Sequence, residues 1–350
     1  MNQLRRPTAL LLALTALLAP TWAVAQIGLP LAEMVAVAAL QLEDAEGDAP
    51  ALARTDAGTE LLLEVRGSAL ARVGGEAVFD EQTIADVARV IAAATGYFDA
   101  IEEPVAGFLQ QNLPTLAGAG PFAVGVESFR LSLDVSGAAA PYRVVWSISL
   151  AEVPEQAFLP ARHAIGPDDA RYVIREFSDL QCPFCARFAE QVFPALVATL
   201  LARDDVRFEY HHLVLGGRFA NSGLAAEATE CVADANADDP TAFWVYLDAL
   251  FERQQAWSSL PDPAPYFARL ALEVGLSDEG VAACLDARTH LEAVQASTAR
   301  AAEIGVGGTP TVFVGPYQLR DFSRLESYLE AMARIDAFTE EAAAVAGSED

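Results

Sequence analysis

The chain contains no lysine. All 22 of its basic residues are arginine, set against 49 acidic ones, for a net charge of −27. A field of that sign repels nucleic-acid phosphates and anionic membrane surfaces, so neither is an expected partner. Histidine is scarce, with only His163, His211, His212 and His290. His211 and His212 are neighbours on an expected strand and point to opposite faces, where they do not chelate one metal together. His163 falls in an expected linker and His290 on an expected helix, and neither marks a site. The chain has no HExxH, no GxSxG and no phosphate-binding glycine loop. Asp44, Glu46 and Asp48 lack the glycine and terminal glutamate of a calcium loop and read as a solvated turn. Cysteine is limited to four, all beyond position 181. One close pair falls short of the two pairs a zinc site commonly uses. No cofactor and no metal are expected.

Long apolar runs are also missing, and none reaches the roughly 20 residues of a membrane span. The nearest approach is residues 10–18, after Arg5 and Arg6 and before Pro20, followed by Ala23-Val24-Ala25. A basic start, a short apolar stretch and a small-x-small site make a secretory signal peptide over residues 1–25, with an uncleaved anchor helix as the alternative. No cysteine follows the cleavage site for a lipid anchor. The mature protein is expected in the periplasm or outside the cell, without stable membrane insertion. Disulfides persist in such compartments.

What is present is Cys182-Pro183-Phe184-Cys185, between an apolar strand at 172–178 and a helix at 183–202. A helix start offers free N–H groups and the positive end of the macrodipole, which stabilise a thiolate. The first sulfur is then a nucleophile and the second is in reach to close a disulfide, the minimum for thiol–disulfide exchange. An inert structural bridge is the alternative. Cys231 and Cys284, 53 positions apart, form a candidate structural disulfide between two helices, with a second redox pair or two buried thiols as the other readings.

At 350 residues the chain is expected to hold two domains. Residues 26–152 read as a smaller α+β domain. Strands are expected at 60–66, 122–135 and 142–151, with helices at 80–94 and 98–113 and a loop at 44–58. Residues 153–169, with three prolines and a glycine, read as a linker. In residues 170–336 the order is strand, helix, a strand at 206–214, a helical stretch from 220 to 304, a strand at 311–314, its partner at 317–320 and a helix at 322–334. Ser277 and Asp321 are expected helix caps. Residues 337–350 read as an acidic tail.

FSDLQCPFC, the helical insert with FWVYLDALFE, and GVGGTPTVFVG resemble the DsbA-type thiol–disulfide oxidoreductases of the thioredoxin superfamily. The resemblance covers about half the chain. It implies an α/β thioredoxin-like fold with a helical insertion, preceded by the smaller α+β domain. It implies an exposed attacking Cys182, a buried resolving Cys185, and a cis-proline loop at Thr309-Pro310 that faces the sulfurs. Glu176 matches an acidic residue beneath the active site and would relay a proton to Cys185. It implies thiol-bearing exported proteins as partners and a membrane quinone-linked reoxidant. The sequence departs from the strongest oxidases by placing Pro183 and Phe184, with no histidine, between the cysteines. Phe184 brings no charge to Cys182, and Asp179 opposes a thiolate. The expected Cys182 pKa is lowered mainly by the helix start, and the couple is less oxidising than the strongest oxidases. An isomerase or reductase using the same cysteines is the nearest alternative, and a non-enzymatic chaperone or binding protein is another. The first domain would serve docking or homodimerisation.

Overall fold

The structure, a computed structural model, describes residues 27–38, 40–42, 50–126 and 128–339. The expected signal peptide, the acidic run at Asp44 to Asp48 and residues 340–350 lie outside the described residues. Among the described residues no helix is long and apolar enough to cross a membrane.

The first half comprises α1 (Leu31–Val37), β1 (Gln41–Leu42), β2 (Ala51–Arg54), β3 (Glu60–Arg66), β4 (Ala69–Phe79), α2 (Glu81–Thr95), α3 (Asp99–Leu116), β5 (Phe122–Val126), β6 (Phe129–Ser136) and β7 (Tyr142–Leu150). The strands form one antiparallel sheet in the order β1-β2-β3-β4-β7-β6-β5. Asp80 caps α2 by accepting from the Thr83 N–H at 2.8 Å. Ile84, Val87, Val90 and Ile91 bury the helix's apolar face. Three details differ from the sequence reading. The stretch 122–135 is two strands folded as a hairpin, with Val126 paired to Phe129. In the sequence the apolar positions shift from 122, 124 and 126 to 129, 131, 133 and 135, and that change of phase marks the turn. β2 lies inside the expected loop. β4 has no counterpart in the sequence reading. Gly74 and Gly75 are both needed in a strand here. A Cβ on Gly74 would sit 2.5 Å from the Trp146 carbonyl oxygen, and one on Gly75 would sit 2.6 Å from that of Glu60.

The second half comprises β8 (His163–Ile165), β9 (Tyr172–Ser178), α4 (Pro183–Arg187), α5 (Phe193–Thr199), β10 (Val206–His212), α6 (Ser222–Ala235), α7 (Ala242–Glu252), α8 (Gln254–Trp257), α9 (Ala264–Glu273), α10 (Val281–Asp286), α11 (Leu291–Glu303), β11 (Thr311–Val314), β12 (Tyr317–Gln318) and α12 (Leu325–Thr339). The sheet order is β12-β11-β9-β10-β8, with β9 and β10 parallel and the other pairs antiparallel. Helices α6 to α11 form the insertion between β10 and β11. This is the expected α/β arrangement, with four corrections. The segment 153–169 is not only a linker, because it supplies the edge strand β8. The helix expected at 183–202 is interrupted by a π-helical turn over Phe188–Val192. Pro194 lacks an N–H to continue the ladder back into that turn. Ser277 accepts from the Glu279 N–H in a turn, and Gly280, at φ 79°, precedes α10. Asp321 likewise caps a turn at Ser323, and α12 begins only at Leu325.

The last turn of α12 crosses to the first half. Phe338 and Tyr317 are buried in the core formed by β2 to β7 and α2. The Arg66 guanidinium lies 4.3 Å from the Phe338 ring centroid and pairs with Glu152 at 2.5 Å. Tyr317 donates to the same carboxylate at 3.2 Å, and the Ser68 N–H donates to the Ala337 carbonyl at 2.8 Å. Phe338→Ala is expected to cost about 3 kcal/mol, as a lost aromatic ring in a core usually does. Urea unfolding checks this, and an unchanged midpoint would show that the ring is not a structural joint.

Candidate functional site

Strand β9 is central in its sheet, and six of its seven residues are buried. It delivers the chain into the loop Asp179-Leu180-Gln181, and the insertion holds that loop in place. One oxygen of buried Asp179 accepts from the Gln181 N–H at 2.8 Å and from the Ser222 hydroxyl at 2.5 Å; the other accepts from the Leu215 N–H at 2.8 Å. Gln254, from α8, donates to the carbonyls of Leu180 at 2.8 Å and Cys182 at 3.0 Å. Gln181 donates to the Ser258 carbonyl at 2.7 Å and accepts from the Asn221 N–H at 2.9 Å. Sequence reasoning missed this clamp, since isolated Gln and Asn residues carry no spacing signal. It assigned Asp179 a repulsive role; in the structure the carboxylate anchors the loop.

Cys182 caps α4 and Pro183 occupies the first turn, where a missing N–H costs nothing. Both cysteines are free thiols. The Cys182 thiol donates to the Thr309 carbonyl at 3.5 Å, and the Thr309–Pro310 peptide is cis. Cys185 is fully buried, and its sulfur accepts from the Asp179 N–H at 3.5 Å. Cys182 is less exposed than expected, at 4 %. It still opens to solvent, because it lines a groove of about 700 Å³ with Phe184, Leu215, Arg218, Phe219 and Thr309. Phe184 is 58 % exposed, with the Arg187 guanidinium 5.5 Å from its ring.

The two thiols are driven apart in acidity. The Cys185 thiol, hydrogen-bonding to the Cys182 sulfur, holds Cys182 down to about 5 against the opposing effect of burial. Thr309 and the N–H groups of Cys185 and Phe184 act in the same direction. The helix start thus contributes, but the neighbouring thiol contributes more than the sequence reading allowed. Cys185 is pushed far up by burial, by its bond to Cys182 and by the charge of Glu176. Glu176 faces Tyr210 across the β9–β10 ladder. Its Oε1, the Ser178 and Thr309 hydroxyls and the Tyr210 hydroxyl are buried without a hydrogen-bond partner of good geometry. Burial pushes the Glu176 carboxyl up to about 8, with Ser178 pulling weakly the other way. A carboxylic acid that is protonated near neutral pH therefore lies in the charge field of the buried sulfur.

Two measurements check these assignments. The ultraviolet absorbance of the thiolate is expected to show Cys182 ionising with a midpoint of about 5. Cys185→Ala removes the largest lowering influence and is expected to raise that midpoint toward about 7; no rise would refute the thiol–thiolate bond. Glu176 binds a proton in the folded protein that the unfolded chain, at its ordinary 4.5, has already released. The contribution of Glu176 to stability is therefore complete below about pH 4.5 and is lost as pH rises through about 8. Glu176→Gln is expected to flatten this fall and to exceed the parent by on the order of 3 kcal/mol at about pH 9. Urea unfolding of both proteins in one redox state reads it, and identical pH profiles would refute it.

The second half has recognisable relatives. Disulfide bond formation protein D of Bacillus subtilis is 26 % identical over 186 residues, which cover 52 % of this chain and 80 % of that protein. A Na(+)/H(+) antiporter NhaA of Herminiimonas arsenicoxydans is 32 % identical over 175 residues, 49 % of this chain. The chain spans only 26 % of that antiporter's length. Among solved structures, oxidised BdbD of Bacillus subtilis aligns at 24 % identity and a TM-score of 0.45, covering 53 % of this chain and 97 % of that one. DsbA of Chlamydia trachomatis aligns at 18 % identity and a TM-score of 0.46, covering 52 % and 96 %. Residues 159–333 match the family model described as Thioredoxin. With half its length in that match, the chain belongs to the thioredoxin family.

Proposed function

We propose that this chain is an exported thiol–disulfide oxidoreductase that forms or exchanges disulfides in secreted proteins. One observation carries the reading. A sulfur with its pKa lowered to about 5 sits on the floor of an open groove, against the Thr309 carbonyl and a buried second thiol. A thiolate of that acidity is populated at neutral pH and is also a good leaving group. The kinship with disulfide bond formation protein D agrees with this use of the pair.

The reaction begins with Cys182 and Cys185 joined. A substrate thiolate attacks the Cys182 sulfur, the bond to Cys185 breaks, and Cys185 leaves as a thiolate. Its high proton affinity draws a proton, and Glu176, whose pKa of about 8 keeps it largely protonated at neutral pH, is the nearby buried donor. A second substrate thiolate then attacks the substrate sulfur of the mixed disulfide. The substrate leaves as a disulfide and Cys182 leaves as a thiolate. The substrate has lost two electrons and the enzyme pair holds them. Turnover needs an external oxidant, for which a membrane quinone-linked protein is the proposed class. The groove walls Phe184, Leu215 and Phe219 offer apolar, low-specificity contact to an unfolded segment. The Cys231–Cys284 bond braces the insertion outside this cycle, and the first half serves partner docking or self-association.

A Cys182 pKa between the ~7 of thioredoxin and the ~3.5 of DsbA places the couple between about −270 and −120 mV. Equilibration with glutathione buffers reads this, and a potential outside that window would sink the assignment. Cys182→Ser is expected to abolish insulin reduction and disulfide transfer to a reduced protein. Alkylation trapping of Cys182 and Cys185 in growing cells separates the directions, with a mostly oxidised pair marking an oxidase and a mostly reduced pair marking an isomerase or reductase. Cellular activity that survives Cys182→Ser would identify a binding protein instead.

A further inference from the structure

The Cys231–Cys284 bond joins α6 to α10, and His290, at the start of α11, stands beside it. A ring nitrogen of His290 and the two sulfurs all lie within 4.8 Å of one another. Cys231 and His290 are buried, and Cys284 is half-buried, which leaves a way in from solvent. The imidazole is held on both sides. Its Nε2 lies 2.9 Å from Asp234 Oδ2, and its Nδ1 lies 3.2 Å from the Arg162 guanidinium. Arginine has no acceptor, so Arg162 donates and Nδ1 carries the lone pair. Nε2 then carries the hydrogen and donates to Asp234. A carboxylate that fixes one ring N–H while the other nitrogen presents its lone pair is how metal-ligating histidines are oriented.

We propose that reduction of the Cys231–Cys284 bond creates a binding site for a thiophilic divalent cation, zinc foremost, ligated by both thiolates and His290. Asp234 is the positioning residue that orients the imidazole. The steps balance. A dithiol reductant supplies two electrons and two protons, the sulfur–sulfur bond becomes two thiols, and the reductant becomes its disulfide. The cation then displaces both thiol protons, since thiolates are the ligands. Two zinc–sulfur bonds of about 2.3 Å set tetrahedral sulfurs roughly 3.8 Å apart, so the sulfurs, bonded to each other in the structure, separate once reduced. Arg162 gives up its bond to Nδ1 and keeps its pairings with Glu230, at 2.8 Å, and with Asp234. Three protein ligands leave the fourth position to water, an open site rather than a closed structural one. Four groups crowd the neighbouring turn of α6. Glu230 there accepts from His163 at 3.0 Å, His212 at 2.9 Å and Arg162, so its charge is already matched and it does not compete for the cation. The proposal is independent of the activity at Cys182, and its test removes those thiols.

The test uses the full chain carrying Cys182→Ser and Cys185→Ser, reduced with dithiothreitol, desalted without air and titrated with Co²⁺. One cobalt per chain with a thiolate-to-cobalt charge-transfer band is expected after reduction, lost on adding Zn²⁺ and absent from the oxidised protein. Asp234→Asn is expected to weaken cobalt binding about 10–100-fold, as loss of an orienting partner does. His290→Ala should weaken it at least as much. No band after reduction, an equal band in oxidised protein, or undiminished affinity in His290→Ala would each overturn the proposal. Alkylation gives a readout that needs no variant at the site. Zn²⁺ should slow iodoacetamide labelling of Cys231 and Cys284 together, and labelling at the metal-free rate would overturn it equally.

Discussion

The site of the second half turns on holding the nearly buried Cys182 thiol well below the usual thiol range. An unpaired charge taken out of solvent costs several kcal/mol. At Cys182 that cost is offset by donors brought from separate parts of the chain. These are the Cys185 thiol, Thr309 ahead of β11, and the first N–H groups of α4. None has a role unless β9, α4 and β11 meet at one point. The insertion enforces the meeting, since Asn221, Gln254 and the Ser222 hydroxyl fasten the loop that carries the cysteine. The helical insert is therefore part of the electrostatics of the site as well as a wall beside it.

The same burial has the opposite effect one layer down. Burial and its bond to Cys182 outweigh the donors near Cys185, so it keeps its proton, and so does Glu176 at neutral pH. Two chemically equal thiols thus become an acid and a leaving group by environment alone. The polarity of the exchange, with Cys182 outward and Cys185 inward, follows from this division. Side-chain identity at Pro183 and Phe184 contributes little to it.

Local patterns in the sequence foretold the placement of Cys182 and Cys185 well. An unbroken apolar stretch marked β9, proline after the first cysteine marked the helix start, and Thr309-Pro310 sat where a strand resumes after a long helical run. Long-range consequences were much less legible. Gly74-Gly75 finds its place in a strand only once Trp146 and Glu60 are seen pressing on it. Strand β8 is three residues long and earns its place only by pairing with β10. The hairpin at Val126 and Phe129 shows in the sequence only as a shift of the alternation from even to odd positions. The loop clamp and the His290 contacts come from positions scattered over a hundred residues, so no spacing announces them. The exposure of Cys182 was overestimated because Thr309, far away in sequence, lies against its sulfur.

Phe338 belongs to a helix of the second half but completes the hydrophobic interior of the first. The early strands and helices therefore lack one of their own core side chains until nearly the whole chain has been synthesised. A nascent first half would stay incompletely packed behind the ribosome, with an apolar vacancy that only the far end of the polypeptide can fill. Truncation at the carboxyl end would likewise be felt first at the opposite end of the molecule.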